Sequence, residues 1–451
     1  MEFGTPPVDL KQPDRQHRGW FGVALRYFIA GLLAAIFLDT WFVSGLLRPV
    51  LVASGSMAPA LLGPHRTWLC AGCGEQFACG LDSLPGPRSA AICPYCYAKV
   101  DPVAAVDRRG DRVLVDRAAF HWRQPRRWAM VVLDCPGAWS ESCVKRVVGL
   151  PGERVSLRDG EVWIDGQLAR KSLSEARDLA VLVHVAPAGR NAAGGRQRWR
   201  DESDTWRIES GRFLHRAEAP AAGPARSRAA PVHWLAYHHP AGAPAGADEA
   251  DASLTDESPY DQVESRPLHP LRDVLVSALL TCGGDGELLL RCGGGDDAFE
   301  VRIDIATGRG TLVRNGRTVD EIVPGPLAGR TASIEWLLVD RQVQLAIDGR
   351  LALQYVADRR GEATNAAAHA PAAPLELAIG ARGAEVIVAD LRLLRDVYYT
   401  SGRNGSATHE YLLGPGEYFL LGDNSSHSQD SRMWRPSGMA GEHIVGRAIS
   451  P

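Results

Sequence analysis

The sequence predicts a mainly β fold with one N-terminal membrane-crossing helix, a zinc-ribbon-like insertion and a jelly-roll β-sandwich insertion. Three observations carry that expectation. Residues 20–42 are almost uninterruptedly apolar, which suits a helix in lipid. Cys70-x2-Cys73 and Cys93-x2-Cys96 stand 19 residues apart, a spacing that suits four thiolates around one metal. Between residues 271 and 395, short apolar or alternating runs are punctuated by Asn-Gly and Asp-Gly pairs, the pattern of hairpins in a sandwich.

The chain's 451 residues are enough for two or three domains with real cores. Fifty Lys and Arg against 53 Asp and Glu give a net charge of −3. Such a balance, scattered along the chain, gives no sign of a nucleic-acid partner. Trp20 to Phe42 is long enough to cross about 30 Å of hydrocarbon, with Arg26 and Asp39 placed to snorkel toward the two interfaces. Lys11, Arg15 and Arg18 precede it, so the positive-inside rule puts the N-terminus in the cytoplasm and the rest outside the plasma membrane, on a single span. A cleavable signal would end in a small-x-small site after a shorter apolar region.

Lys145 is one of only four lysines in the chain. A composition that writes Arg almost everywhere keeps Lys where guanidinium cannot lose its proton, whereas a desolvated ammonium can become a base near neutral pH. Upstream lies Ser54-Gly55-Ser56-Met57-Ala58-Pro59, just after the apolar segment. Downstream lies Gly422-Asp423-Asn424-Ser425-Ser426-His427-Ser428-Gln429-Asp430-Ser431-Arg432. Taken singly, Ser-Gly-Ser and Gly-Asp-Asn-Ser are turn compositions and Lys-Arg is a surface pair. In this order, beside an apolar segment, they resemble the boxes of type I signal peptidases, the membrane-bound serine proteases that remove signal peptides from exported proteins.

The resemblance implies roles residue by residue. Ser56 is the nucleophile and Lys145 the general base, with burial lowering the lysine by several units from its usual value of about 10.4. Ser54 and the Ser56 N–H stabilise the oxyanion, and Ser428 orients the amine. Arg146, Asp423, Asp430 and Arg432 brace the site. It further implies shallow pockets admitting small side chains at the first and third residues before the cut, signal peptides of secreted preproteins as substrates, membrane lipid around the anchor, a secretion translocon as a candidate partner and no catalytic cofactor. The substrate is expected to add as a strand beside Arg48–Val52. Arg435 after Trp434 and Ala60 after Met-x-Pro depart from the family pattern at positions without a proton-transfer role. His427 with Asp423 or Asp430 offers a Ser-His-Asp reading, which the resemblance does not require.

The expected division is a cytoplasmic stretch 1–19, a transmembrane helix 20–42, a signal-peptidase-type β core over 43–69, 100–189 and 396–451, a zinc-ribbon-like insertion 70–99 and a sandwich with flexible loops over 190–395. Cys70, Cys73, Cys93 and Cys96 are expected to hold structural zinc, with two disulfides as the alternative beyond a membrane. Cys135 and Cys143 flank Pro136–Ser140 and are placed to form a cross-strand disulfide or remain free, Cys282 and Cys292 are placed to pair, and Cys79 is left over. Ile334-Glu-Trp-Leu-Leu-Val-Asp-Arg-Gln-Val-Gln-Leu-Ala-Ile-Asp-Gly-Arg resembles concanavalin-A-like or laminin-G-like jelly rolls. Such sandwiches often bind carbohydrate, though the fold itself fixes no sugar site. The competing function is a degenerate peptidase scaffold that displays a carbohydrate- or protein-binding sandwich at the membrane surface.

Overall fold

The computed structural model describes residues 16–40, 44–84, 86, 89–101, 105–135, 142–186, 197–216, 230–240, 252–262, 266–295, 297–357, 375–401 and 410–449. Lys11, Arg15 and the turn Pro136–Ser140 lie outside them, as does the Arg18 side chain.

The sequence motifs with charged and hydroxyl groups meet on one antiparallel sheet. Its seven strands run in the order Leu47–Leu51, Arg112–Asp116, Ile444–Ile449, Met130–Asp134, Ser142–Gly149, Glu417–Leu421 and Met439–Ala440. Ser142–Gly149 is an interior strand, and every residue from Val144 to Gly149 is buried. Val144, Val147 and Val148 therefore show no alternation, as in a strand covered on both faces, and Lys145 and Arg146 are carried into the interior with them. A four-stranded sheet (Gln167–Leu168, Glu161–Ile164, Arg154–Arg158, Glu410–Leu412) packs beside it through Val148, Val155, Leu157 and Phe419.

The largest core lies in the sandwich. One sheet is built around Glu385–Arg395, Val274–Gly283, Thr331–Val339 and Gln342–Ile347, the other around His233–Tyr237, Glu376–Arg382, Glu287–Gly294 and Asp297–Asp304. Phe213, Phe299, Ile334 and Trp336 fill the space between them. The expected hairpins are present. Asn315-Gly316 and Asp348-Gly349 both have positive φ at two consecutive residues, which matches the right-handed twist of the strands they join. Asp340-Arg341 makes the same turn with φ of 50° and 57°, and no glycine advertised it. The chain enters and leaves the sandwich at adjoining points, because Val181–Ala186 pairs antiparallel with Glu385–Arg395, Val181 opposite Arg395.

Two expectations are corrected here. The helix Gln16–Leu38 covers most of the presumed span, but among the described residues no helix is long and apolar enough to cross a membrane. Arg26 interrupts it, and the uncharged run Tyr27–Leu38 is twelve residues, about 18 Å at about 1.5 Å per residue against about 30 Å of hydrocarbon. The expected transmembrane helix at 20–42, and the single-pass plasma-membrane placement that rested on it, are corrected accordingly. Cys282 and Cys292 do not pair, since they sit on strands of opposite sheets and both are free and buried. Cys135 and Cys143 are bridged, tying neighbouring strands together.

Candidate active site

Ser56 sits in the short helical turn Gly55–Met57, which directly follows the sheet's first strand. Lys145 projects from the interior strand with 3% of its surface exposed. Its Nζ lies 2.9 Å from Ser56 Oγ and 3.2 Å from Ser428 Oγ, and the Ser54 hydroxyl donates to Ser56 Oγ at 3.3 Å. Four residues singled out in the sequence therefore meet in space. Burial pushes Lys145 down to about 8, with Asp430 pulling it up, Arg432 pushing it down and Asp423 pulling it up. Among the described residues no carboxylate bonds to the amine, so desolvation wins. A neutral amine in this position is able to accept from the Ser56 hydroxyl while donating to Ser428.

Two buried ion pairs hold the surrounding loop. Arg146 Nε and Nη2 donate to Asp423 Oδ1 and Oδ2 at 2.7 and 2.6 Å, and its Nη1 donates to the Trp128 carbonyl. Arg432 clasps Asp430 in the same two-pronged way at 2.8 and 2.6 Å and also reaches Ser425 and Thr400. Such paired guanidinium–carboxylate forks fix geometry as well as charge. Gly422 lies between the two halves of the site, where a Cβ would overlap Ser428 Oγ and the Ser56 carbonyl oxygen. Among the described residues His427 shares no hydrogen bond with Ser56. Its Nδ1 is 3.3 Å from Asp261 and its side chain is about half exposed, so the Ser-His-Asp alternative finds no support in the geometry.

Asp261, Tyr260 and Asn424 were given no role in the sequence. Asn424 N donates to the Ser56 carbonyl, and Asn424 Nδ2 donates to the Gly55 carbonyl and to Asp261 Oδ2. The Tyr260 ring packs where a side chain on Gly55 would stand, and its hydroxyl donates to the Pro64 carbonyl. A segment between sandwich strands thus braces the serine loop, with Asp261 reaching Asn424 across 163 residues of sequence. Only the bare composition Ser-Pro-Tyr-Asp marked it.

The face around Ser54 and Ser56 is open. Ser54 is exposed and Ser56 half-buried. Leu47–Leu51 is an edge strand paired, among the described residues, with Arg112–Asp116 alone, and Pro49 suits such an edge.

The four cysteines also converge. Cys70 Sγ and Cys96 Sγ are 3.5 Å apart, Cys73 Sγ and Cys93 Sγ 3.7 Å, and all four ligand atoms lie within 4.8 Å of one another. These separations are too long for a disulfide of about 2.05 Å and close to the edge of about 3.8 Å of a tetrahedron with metal–sulfur bonds of about 2.3 Å. Matching turns shape both halves, with Gly74 N donating to the Cys70 carbonyl and Tyr97 N to that of Cys93. This cluster is able to hold a structural metal. Four thiolates leave no open position, so it would supply rigidity and no chemistry.

A second buried lysine lies where the core meets the sandwich. Lys171 Nζ donates to Asp340 Oδ1 at 2.8 Å and Asp396 Oδ2 at 2.7 Å. Burial alone would push it down, but Asp396, Asp340 and Glu161 together raise it well above its ordinary value.

With fold and geometry in hand, the class is a mainly β protein with a buried lysine between two serines and a large β-sandwich insertion. The family described as "Signal peptidase, peptidase S26" matches residues 101–210 and 341–451, so the chain carries a signal-peptidase-like, S26-like domain. Signal peptidase I of Leptolyngbya laminosa is 38% identical over 64 residues, 13% of this chain and 32% of that protein. Signal peptidase I of Haemophilus influenzae is 37% identical over 82 residues, 17% of this chain and 22% of that protein. The matches thus span a third or less of these relatives' length. Among solved structures, a Bacillus subtilis protein of unknown function with a galectin-like fold aligns with 50% of this chain and 93% of its own at 10% identity and a TM-score of 0.27. The expectation of a membrane-bound enzyme clearing signal peptides from exported preproteins is corrected accordingly. What stands is a peptidase-like scaffold bearing a large sandwich, without a membrane-crossing helix among the described residues.

Proposed function

We propose that this chain is a serine-type peptidase in which Ser56 attacks an amide carbonyl and Lys145 takes its proton, with the sandwich as a unit that binds a protein or carbohydrate partner. The observation that carries the reading is the 2.9 Å approach of a buried lysine amine to Ser56 Oγ. The Ser56 Oγ bond to the carbonyl carbon forms as the proton passes to Lys145, and the amine leaving group receives that proton as the acyl-enzyme forms. A water then gives its proton to Lys145, attacks the ester and releases Ser56. Ser54 and the Ser56 N–H are assigned to the oxyanion, Ser428 to the amine. Arg146, Asp423, Asp430 and Arg432 are assigned to bracing. An extended polypeptide would enter beside the free edge of Leu47–Leu51.

The division into a core over 43–69, 100–189 and 396–451, a metal unit at 70–99 and a sandwich at 190–395 belongs to the same proposal. So does zinc as the ion of Cys70, Cys73, Cys93 and Cys96, the four-thiolate set favouring it.

A second reading is favoured by the size of the sandwich core and by the short reach of the peptidase matches. In it the peptidase-like part is a catalytically silent scaffold that displays the sandwich. One experiment separates the two: incubation of purified wild type, Ser56→Ala and Lys145→Arg with a library of extended peptides, read by mass spectrometry. Cleavage at defined sites by wild type alone supports the peptidase. A folded wild type that cuts nothing, yet binds a glycan or protein on an array, establishes the scaffold.

A further inference from the structure

Where the chain passes between core and sandwich, four carboxylates converge from four separate stretches. Glu161 comes from a strand of the core's small sheet. Asp273 immediately precedes Val274–Gly283, Asp340 opens the turn after Thr331–Val339, and Asp396 follows Glu385–Arg395. We propose that this seam is a binding site for a hard divalent cation of the calcium class, coordinated by Glu161, Asp273, Asp340 and Asp396.

Oxygen atoms of Glu161, Asp273 and Asp340 all lie within 4.8 Å of one another. Two ligands on opposite sides of an ion with bonds of about 2.4 Å are about 4.8 Å apart, so the spacing suits a single ion shared by the three. An independent observation comes from Asp396. Its residue is 8% exposed, Lys171 holds its Oδ2, and its Oδ1 is buried without a hydrogen-bond partner among the described residues. A buried carboxylate oxygen left without a partner is costly, and a bound cation would supply the partner that Lys171, held on the other oxygen, does not.

Charge points the same way. Lys171 forms salt bridges to Asp340 and Asp396, and Glu161 and Asp273 add two more carboxylates beside it. Arg272 and Arg341 line the adjoining cavity of about 320 Å³, together with Glu161, Asp273 and Asp396. The cavity has room for an ion and the waters that complete its shell. An all-oxygen set disfavours soft metals and separates this site from the four cysteines. Irregular contributions from four stretches suit calcium, which tolerates six to eight ligands in flexible geometry, better than magnesium with its strict octahedron. An ion here would join Glu161 of the core to three ends of sandwich strands and so fix the angle between the two units. It does not depend on Ser56 chemistry.

The test uses the full chain after passage over a chelating resin and resupply of zinc, with radioactive calcium in equilibrium dialysis and thermal unfolding in parallel. The expected result is one calcium per chain beyond the zinc, an unfolding midpoint that rises with calcium, and a tenfold or greater loss of affinity in Glu161→Gln and Asp273→Asn. Because these variants remove uncompensated charge, they should fold without calcium and show no calcium-dependent rise. Failure of wild type to retain calcium at millimolar concentration overturns the proposal. So does retention of magnesium in its place, or unchanged calcium affinity in the Glu161→Gln, Asp273→Asn double variant.

Discussion

Lys145 and Lys171 are two of the chain's four lysines, both almost wholly buried in β structure, yet their surroundings drive them in opposite directions. Lys145 faces hydroxyls, while the nearby carboxylates of Asp423 and Asp430 are each occupied by a guanidinium. Desolvation then prevails and the amine falls to about 8. Lys171 meets Asp340 and Asp396 directly, and their fields overturn the same desolvation. Burial by itself therefore does not make a base. What matters is whether neighbouring carboxylates are spent on other cations, and in the Ser56 site Arg146 and Arg432 spend them.

The sharpest way to break this contrast is to make one substitution at both lysines. Lys145→Met should lower peptide cleavage by about 10²–10⁴-fold with little change in the unfolding midpoint, and Lys145→Arg should do the same because guanidinium stays protonated. Lys171→Met should instead destabilise by about 3–5 kcal/mol, since it strands buried carboxylates, measured by denaturant unfolding. Equal loss of stability in both variants would erase the distinction. Ser54→Ala should leave folding intact and reduce turnover by about 10²–10³-fold if its hydroxyl serves the oxyanion, read as kcat with KM little altered.

The smallest expected effect sharpens the comparison through pH. Cleavage at low substrate should climb about tenfold per pH unit up to about 8 and level off above it, because only the neutral amine of Lys145 accepts a proton. Lys171 has a raised value in the fold, so its stabilising charge is fully present below the ordinary lysine value and is lost only as pH rises through the still higher folded one. Between pH 6 and 9 the activity should move while the stability due to Lys171 stays level. A flat activity profile over that range would count against Lys145 as the base.

Much of the local structure was legible. Asn315-Gly316 and Asp348-Gly349 spelled their hairpins, and the alternating runs from Val274 to Ile379 spelled strands, because twist and pleat impose short-range demands. The cysteine spacing announced a four-sulfur cluster for the same local reason. The apolar stretch 20–42 misled, since its composition outweighed the interruption at Arg26.

The sequence by itself determined the mainly β character, the sandwich hairpins, the cysteine knuckles and a short set of chemically distinctive residues, among them Ser56 and Lys145. Only the tertiary structure decided which of those residues meet. It placed Lys145 against Ser56 and Ser428, brought Asp261 to Asn424, and set Lys171 between Asp340 and Asp396, partners 169 and 225 residues away. Turn and strand preferences act over a few residues, whereas a side chain's protonation depends on what burial removes and which charges folding returns.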